Sequence, residues 1–341
     1  MIPDPVDLAR KHAKMRFATG ITLAFVLAEA MGWFPSFLPA VLLAVLLTSL
    51  PASPPLKVGV VLVLVMTAAA TLAYAIPYLL RGTPSVMVGV IGLVIFAAFL
   101  ASARGIAKLP ALLLLLCLVT IPVVVMIIPD QAVALRTAMG RSMAIAMLVL
   151  WLMFALWPRV VPPAPPAAGT PIVTPVRKAV GGTFVLMPMI VVYLMYGLTD
   201  ALPVLVTTMM LLLNFDPCRG AKQGVAMMAG NVVGGGLGAL AFLLVGVAPS
   251  LVTLGLIVFL VAMWFAVHID KGGAYGAIGL IAANTSLIIL SSALGSPASS
   301  SGIWLTRLVQ FLLACLFAIG MMALIWGKKE SAGQKLAGSN A

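Results

Sequence analysis

Three charged side chains interrupt long apolar stretches of the chain, and their types suit the handling of a proton and an anion. Glu29 lies in an apolar run over residues 16–34, and Arg141 and Arg307 lie at corresponding places in two later runs. A carboxylate takes up and releases a proton, whereas a guanidinium binds carboxylates through paired hydrogen bonds. Because an ionised group in an apolar environment is costly, such residues usually face a cavity or a partner. We expect Glu29 to be a proton-coupling residue and both arginines to bind an anionic substrate.

The same three charges also fit a purely structural role. Glu29 and an arginine could form an ion pair, or the arginines could extend towards lipid headgroups. At about 1.5 Å per residue, Glu29 lies roughly 6 Å and Arg141 roughly 9 Å beyond the middle of their runs, towards the outer face. Opposite Glu29, the second half of the chain has only apolar residues, Met189 and Ile190. This difference favours one proton-binding site over two equivalent ones.

Four further polar residues in or beside apolar runs are candidate substrate ligands. They are Arg136, Asn231, Asn284 and Thr285. Their side chains could hydrogen-bond a substrate, or could bond neighbouring helices instead. Asn231 also lies beside Gly230, Gly234 and Gly238, which recur at every fourth position and therefore share one helix face. Small residues so spaced let two helix backbones approach closely, so this stripe predicts tight helix packing.

The residues give no support for metal, nucleotide or covalent chemistry. The two histidines, His12 and His268, are far apart in the sequence, and no cluster of His and Cys has the spacing of a metal site. His268 precedes Asp270 by two residues, an arrangement that could relay protons or anchor the chain at a membrane interface. The sequence has no phosphate-binding Gly-x-x-x-x-Gly-Lys-Ser/Thr loop and no recognisable nucleophile–base pair. We therefore expect no cofactor, no metal and no enzymatic activity.

The composition places these residues in a membrane. Hydrophobic residues make up 63% of the 341 residues and charged residues only 8%, whereas a soluble domain has about 25% charged residues. A helix needs roughly 20 residues to cross a bilayer, and most of the apolar runs approach or exceed that length. The runs cover residues 16–34, 38–50, 57–80, 85–103, 109–128, 134–157, 177–198, 201–214, 222–246, 250–268, 273–293 and 303–326. We predict an all-α polytopic membrane protein with about twelve transmembrane helices.

The positions of the basic residues predict the topology. With the N-terminus inside and twelve crossings, sixteen of the twenty Lys and Arg residues fall on the cytosolic side. That bias accounts for the net charge of +12 without a nucleic-acid partner. It predicts cytosolic tails over 1–15 and 328–341 and a proline-rich cytosolic linker over 159–176. If the short runs 38–50 and 201–214 were re-entrant, ten crossings would remain and the charge bias would weaken.

The arrangement of charges, prolines and glycines repeats after 161 to 167 residues. Arg16 and Arg177, for example, each open an apolar run at the start of a half. The segments 16–158 and 177–327 would each cross six times and so enter the membrane in the same direction, which predicts two parallel repeats with a site between them. Each repeat also has a short, proline-flanked second run, and broken or short helices in matching positions point to a transporter site.

This duplicated six-helix plan, with its short proline-bounded second helices and basic inner loops, resembles the membrane part of the fusaric acid resistance and aromatic acid exporter family. The resemblance spans about residues 10–327. It implies a compact, membrane-only protein of the bacterial inner membrane that exports aromatic carboxylates or similar amphipathic compounds, driven by the proton gradient. It also implies a periplasmic adaptor of the membrane-fusion type and an outer-membrane channel as partners. The residues leave open whether the chain forms a homo-oligomer.

Two other classes of function remain to be weighed against a proton-driven exporter. A passive organic-anion channel needs a continuous polar pore and no proton-coupling residue, so uphill transport would exclude it. An intramembrane enzyme needs a nucleophile–base pair or a metal cluster, and neither is recognisable in the sequence. The exporter and the channel are therefore the two hypotheses that a transport assay must separate.

Overall fold

All regular secondary structure is α-helical in the residues that the structure, a computed structural model, describes. These residues are 5–50, 52–106, 108–159, 174–197, 202–213 and 217–295, together with 309, 312–313, 315–321 and 324. The helices are α1 (Pro5–Ala30), α2 (Leu38–Ser49), α3 (Leu56–Leu79), α4 (Pro84–Ala103), α5 (Lys108–Ile127), α6 (Pro129–Leu156), α7 (Pro175–Tyr196), α8 (Leu202–Leu212), α9 (Pro217–Val247), α10 (Leu251–Asp270) and α11 (Gly273–Gly295). The described residues from 309 onwards are also helical. Most of the predicted linker (160–173) and the predicted C-terminal tail lie outside the described residues.

Eight helices in this part of the chain are long and apolar enough to cross a membrane: α3 to α7 and α9 to α11. Each contains a strongly apolar window of 18 residues with few charged side chains. This indicates a multi-pass membrane protein, in agreement with the predicted class. The count of twelve spans stays a prediction, because α1 begins with a basic segment and α2 and α8 are short.

The helix bounds follow the sequence pattern with one difference at the first helix. The short second and eighth helices are confirmed, with 12 residues in α2 and 11 in α8. Helix α1, however, begins at Pro5, so the polar segment that precedes residue 16 is helical too. A proline suits the first turn of a helix because its missing N–H has no partner there, and Asp7 in that turn complements the helix dipole.

The chain divides into two compact units, and each unit combines segments from both predicted repeats. Unit one consists of Met1–Thr67, Thr137–Ala168 and Ala226–Leu308. Unit two consists of Ala68–Arg136, Gly169–Val225 and Val309–Ala341. Three of the divisions between them fall inside the long helices α3, α6 and α9. Compact units and sequence halves therefore do not coincide.

Unit one is held together partly by direct contact between helix backbones. Within it α1 packs against α2 and α10, and α11 packs against α2 and α10. A Cβ atom placed on Gly234 of α9 would lie 2.2 Å from the carbonyl oxygen of Ala282, and one on Gly238 would lie 2.7 Å from that of Ser286. No side chain fits at those distances, so the tight packing predicted from the glycine stripe is confirmed for α9 against α11.

Unit two has helices that are separated by side chains. Here α4 packs against α5 and α7, and α8 packs against α5 and α7. A Cβ atom on Gly92 would lie 3.4 Å from the terminal carbon of Met187, and one on Gly182 would lie 3.4 Å from the ring of Phe99. Those are ordinary van der Waals distances, so these glycines leave room for a methyl group.

Candidate functional site

The candidate site begins where α1 ends. Gly32 takes the left-handed conformation (φ +62°) that L side chains rarely adopt. Its N–H donates to the carbonyl of Glu29 at 3.0 Å, and the N–H of Trp33 donates to the carbonyl of Ala28 at 2.9 Å. This pair of bonds is the Schellman pattern that commonly ends helices at a glycine. It places Glu29 in the last turn of α1 and Trp33 directly after it.

Glu29 is the first member of a short chain of oxygen atoms. Ser36, which lies between α1 and α2, donates its hydroxyl to Oε1 of Glu29 at 2.5 Å. The Oγ atom of Ser36 also lies 2.7 Å from Oγ of Ser291, near the end of α11. Ser36 is buried, with 6% of its surface exposed, whereas Glu29 and Ser291 are half-buried. Three segments of unit one thus meet through one carboxylate and two hydroxyls.

Arg141 of α6 lies against the aromatic ring that follows Glu29. Its guanidinium carbon is 4.5 Å from the ring centre of Trp33, within the range of a cation–π contact. The Nε atom of Arg141 is buried and has no hydrogen-bond partner among the described residues. Within the same residues, Arg141 and Glu29 do not form an ion pair with each other, since the structure gives only Lys14 and Asp270 as a salt bridge. The structural ion pair considered as an alternative is therefore not formed between these two residues.

The predicted polar residues of the later helices lie between α9 and α11. The hydroxyl of Thr285 donates to Oδ1 of Asn231 at 2.7 Å, and Nδ2 of Asn231 donates to the carbonyl of Met227 at 2.7 Å. Both side chains are buried. Oδ1 of the neighbouring Asn284 is buried without a partner among the described residues. Asn231 and Thr285 thus bond the two helices, while Asn284 retains an unused acceptor.

The remaining predicted arginines are Arg136 and Arg307. Arg136 belongs to unit two, where its guanidinium carbon lies 5.0 Å from the ring centre of Tyr74. Arg307 lies outside the described residues. Of the predicted site residues that the structure describes, unit one contains Glu29, Arg141, Asn231, Asn284 and Thr285.

Basic side chains of α1 bind polar groups at the opposite end of unit one. Lys14 forms an ion pair with Asp270 at 2.9 Å. Arg16 is 8% exposed, donates to the carbonyl of Trp157 at 2.7 Å and lies over the ring of Phe154. A cation at the free carbonyls of a helix end is favourable, because those carbonyls carry the negative end of the helix dipole. These contacts make the segment an anchor between α1, α6 and α10.

A narrow apolar cleft also lies in unit one, among α1, α9, α10 and α11. Its lining includes Ile21, Gly238, Phe265, Ser286 and Leu290. The space within it holds no more than about one water molecule. An organic anion therefore does not fit there unless the helices separate.

Three residues of the cluster were not predicted from the sequence: Trp33, Ser36 and Ser291. Trp33 and Ser36 follow the helix-ending Gly32 and lie on either side of Pro35. The prolines and glycine of this segment predicted only a break between two helices. A polar residue between the prolines of a helix break was the available signal for Ser36. Ser291 carried no such signal, because a serine in an apolar helix often bonds its own backbone, as Ser292 does with the carbonyl of Ile288.

These observations define a broad class of protein. The class is that of α-helical multi-pass membrane proteins with a charged and hydroxyl-bearing cluster at one helix break. Residues 13–153 match the family model described as "Protein of unknown function (DUF2955)", which covers α2 to α5 and parts of α1 and α6. No curated protein and no solved structure matches the chain.

Proposed function

We propose that the protein is a proton-driven exporter of organic anions, with aromatic carboxylates as the preferred substrates, in the bacterial inner membrane. One observation carries this proposal. In unit one the half-buried guanidinium of Arg141, whose Nε has no partner among the described residues, lies against the indole ring of Trp33. Trp33 comes four residues after Glu29, whose carboxylate accepts a hydrogen bond from a serine. The cation and the ring form the substrate site, and the carboxylate of Glu29 is the proton site.

The environment of Arg141 supports an anionic ligand. A buried cation without a counter-ion is costly, and a buried N–H without an acceptor adds to that cost. A substrate carboxylate would supply both the opposite charge and the missing acceptor. The face of Trp33 next to Arg141 offers an apolar surface to the rest of the ligand, which favours an aromatic acid over a small inorganic anion.

Glu29 supports proton coupling because it is the one acidic residue in the apolar run over residues 16–34. It has no ion-pair partner in the described part of the chain, and a serine hydroxyl satisfies one of its oxygens. A carboxyl group that is not locked in a salt bridge can change its protonation state. Glu29 and Trp33 belong to the same helix-ending motif. We therefore expect protonation of Glu29 to shift the ring that contacts Arg141.

The packing inside the two units supports the proposed pair of six-helix repeats. If each helix is matched with the one six places later, α1–α2 in unit one corresponds to α7–α8 in unit two. In the same way α10–α11 corresponds to α4–α5, α1–α10 to α7–α4, and α2–α11 to α8–α5. All of these pairs are in contact. Twelve crossings with both termini in the cytosol follow from this scheme together with the charge bias.

The proposed partners rest on the resemblance to aromatic acid exporters alone. A periplasmic adaptor and an outer-membrane channel would carry the substrate across the cell envelope after it leaves the inner membrane. Co-purification of a periplasmic protein with the full chain, after crosslinking in the native cell, tests for the adaptor.

The test of the exporter is uptake by the full chain in inside-out-oriented proteoliposomes that contain no other protein. Radiolabelled benzoate serves as the probe. The outer face of each sealed vesicle corresponds to the cytosolic side, and a pH gradient with the acidic side inside supplies the driving force. We expect benzoate to accumulate above its external concentration, and E29Q to abolish this accumulation. D130N is the matched control, because Asp130 is an exposed carboxylate in the first turn of α6.

Two outcomes contradict the proposal. Benzoate that only equilibrates across the membrane, equally fast in E29Q but much more slowly in protein-free liposomes, identifies a passive anion channel. Equal loss of accumulation in E29Q and D130N shows that removing any carboxylate damages the protein, so Glu29 has no special role.

A further inference from the structure

The hydroxyls of Ser36 and Ser291 form a continuous hydrogen-bonded path to Glu29. The Oε1 atom of Glu29 lies 2.5 Å from Oγ of Ser36, which lies 2.7 Å from Oγ of Ser291. The three side chains come from the end of α1, the segment before α2 and the end of α11. No backbone geometry requires this line of oxygens, because residues 36 and 291 are separated by 255 positions in the chain.

The number of hydrogens fixes the direction of these bonds. An ionised carboxylate only accepts, so Ser36 must donate its single hydroxyl hydrogen to Glu29. Ser291 must then donate to Ser36. When Glu29 is protonated it can donate to Ser36, and Ser36 can then donate to Ser291. Both protonation states therefore leave the buried Ser36 with a donor and an acceptor.

We propose that Ser36 and Ser291 are a proton relay for Glu29. When Glu29 is protonated through the relay, the O–H bond of Ser36 breaks as its hydrogen joins Oε1 of Glu29. Ser36 takes the hydrogen of Ser291, and Ser291 takes one from a hydronium ion, which becomes water. Ser291 is only half-buried and lies near the end of α11, and the relay requires water at its outer side. The relay rests on the proposed proton coupling through Glu29 and names the path of the proton.

Among the described residues, other titratable groups do not offer a competing path in this part of unit one. Helix α2 has none, and α11 has only Tyr275, close to its opposite end. The acid and histidine of α10, Asp270 and His268, lie at its last turn, where Asp270 binds Lys14. Arg141, which faces Trp33, is the nearest charged group of α6. A guanidinium stays protonated, so it can attract an anion but cannot pass a proton on.

The direct test follows the carboxyl group itself rather than transport. In the purified full chain at low pH, the infrared carboxyl band that is lost in E29Q reports protonated Glu29. After transfer to D2O the shift of this band gives its rate of hydrogen exchange. We expect exchange to become about tenfold slower, or more, in S36A and in S291A. S36T should exchange at the wild-type rate, since it keeps the hydroxyl.

S292A is the matched control for S291A. Ser292 is the next residue of α11 and donates to the carbonyl of Ile288, outside the relay. Its removal should leave the exchange rate of Glu29 unchanged. Equal exchange rates in wild type, S36A and S291A overturn the relay, and so does an equal slowing in S292A. If S36A does not fold, S291A and S36T decide the question.

A transport measurement separates failure of the relay from failure of the exporter. S36A and S291A should slow benzoate accumulation driven by a pH gradient while leaving benzoate-for-benzoate exchange at equal pH unchanged. Accumulation that is lost in E29Q but normal in both serine variants overturns the relay and keeps the exporter. If carboxyl exchange is slow in S36A and S291A but the wild-type protein moves no benzoate, the relay stands and the exporter is rejected.

Discussion

The two units share a packing scheme and differ in what they bury. Each contains two helix pairs in contact, α1–α2 with α10–α11 in unit one and α7–α8 with α4–α5 in unit two. Of the nine buried polar residues in the described part of the chain, six belong to unit one. The three in unit two, Ser102, Thr207 and Thr208, carry only hydroxyls. The comparison teaches that an apolar pattern suffices for the scaffold, while most of the buried polar side chains that the structure describes lie in unit one.

Each unit also contains an arginine of α6 against an aromatic ring, and these two pairs are not equivalent. In unit one Arg141 lies 4.5 Å from the ring centre of Trp33 and has a buried Nε without a partner. In unit two Arg136 lies 5.0 Å from that of Tyr74, which stacks on Tyr78. A site for an anion is therefore expected at the first pair and not at the second.

The largest effect should come from G234A, which breaks a close backbone contact that the described residues show in unit one. The added methyl group would meet the Ala282 carbonyl at 2.2 Å, so α9 and α11 must separate. We expect a loss of about 3 kcal/mol of stability or more, measured by thermal unfolding in detergent. G92A in unit two is the matched control and should cost less than about 1 kcal/mol, because its methyl group meets only Met187. Similar losses for both variants would remove the difference in packing.

R141A should weaken benzoate binding by about tenfold to a hundredfold, which corresponds to losing one charge-assisted hydrogen bond. R136A, the matched variant in unit two, should bind benzoate as the wild type does. Isothermal titration of the purified protein measures both affinities. Binding that falls equally in the two variants would show that general positive charge, rather than the pair with Trp33, attracts the anion.

W33L should have a smaller effect that depends on the ligand. Loss of the ring removes stacking and the cation–π contact, so the affinity for benzoate should fall by about fivefold. The affinity for acetate, which has no ring, should change little. Y74L is the control from unit two. An equal loss for acetate and benzoate in W33L would indicate that Trp33 only orients Arg141.

D270N should have the smallest effect of the series. It removes the ion pair with Lys14, whose two side chains are about a quarter exposed (24% and 25%). Exposed pairs contribute at most about 1 kcal/mol, so the melting temperature should drop only slightly and the drop should shrink at high salt. D130N, an unpaired carboxylate of unit two, should not shift it. A large, salt-independent drop in D270N would show that the pair is needed to hold α1 against α10.

The sequence predicts the scaffold better than the site, for a physical reason. The apolar runs, the short α2 and α8 and the contact at the glycine stripe all depend on residues close together in the chain. Glu29 and Arg141 were recognisable because charge is rare in an apolar segment. Trp33, Ser36 and Ser291 were not, since their roles arise from contacts across long separations, 255 positions in the case of Ser36 and Ser291. The type of these residues alone gives no indication of contacts across such separations.

The interleaving of the two units sets the order in which the protein can be assembled during synthesis. Unit one needs α1 and α2, which the ribosome makes first, and α10 and α11, which it makes much later. Until then α1 and α2 lack their contacts with α10 and α11, and Ser36 has no hydroxyl from α11 to bond. A nascent chain stalled before α10 should therefore remain bound to insertion factors or chaperones, because incomplete native contacts leave reactive surfaces exposed.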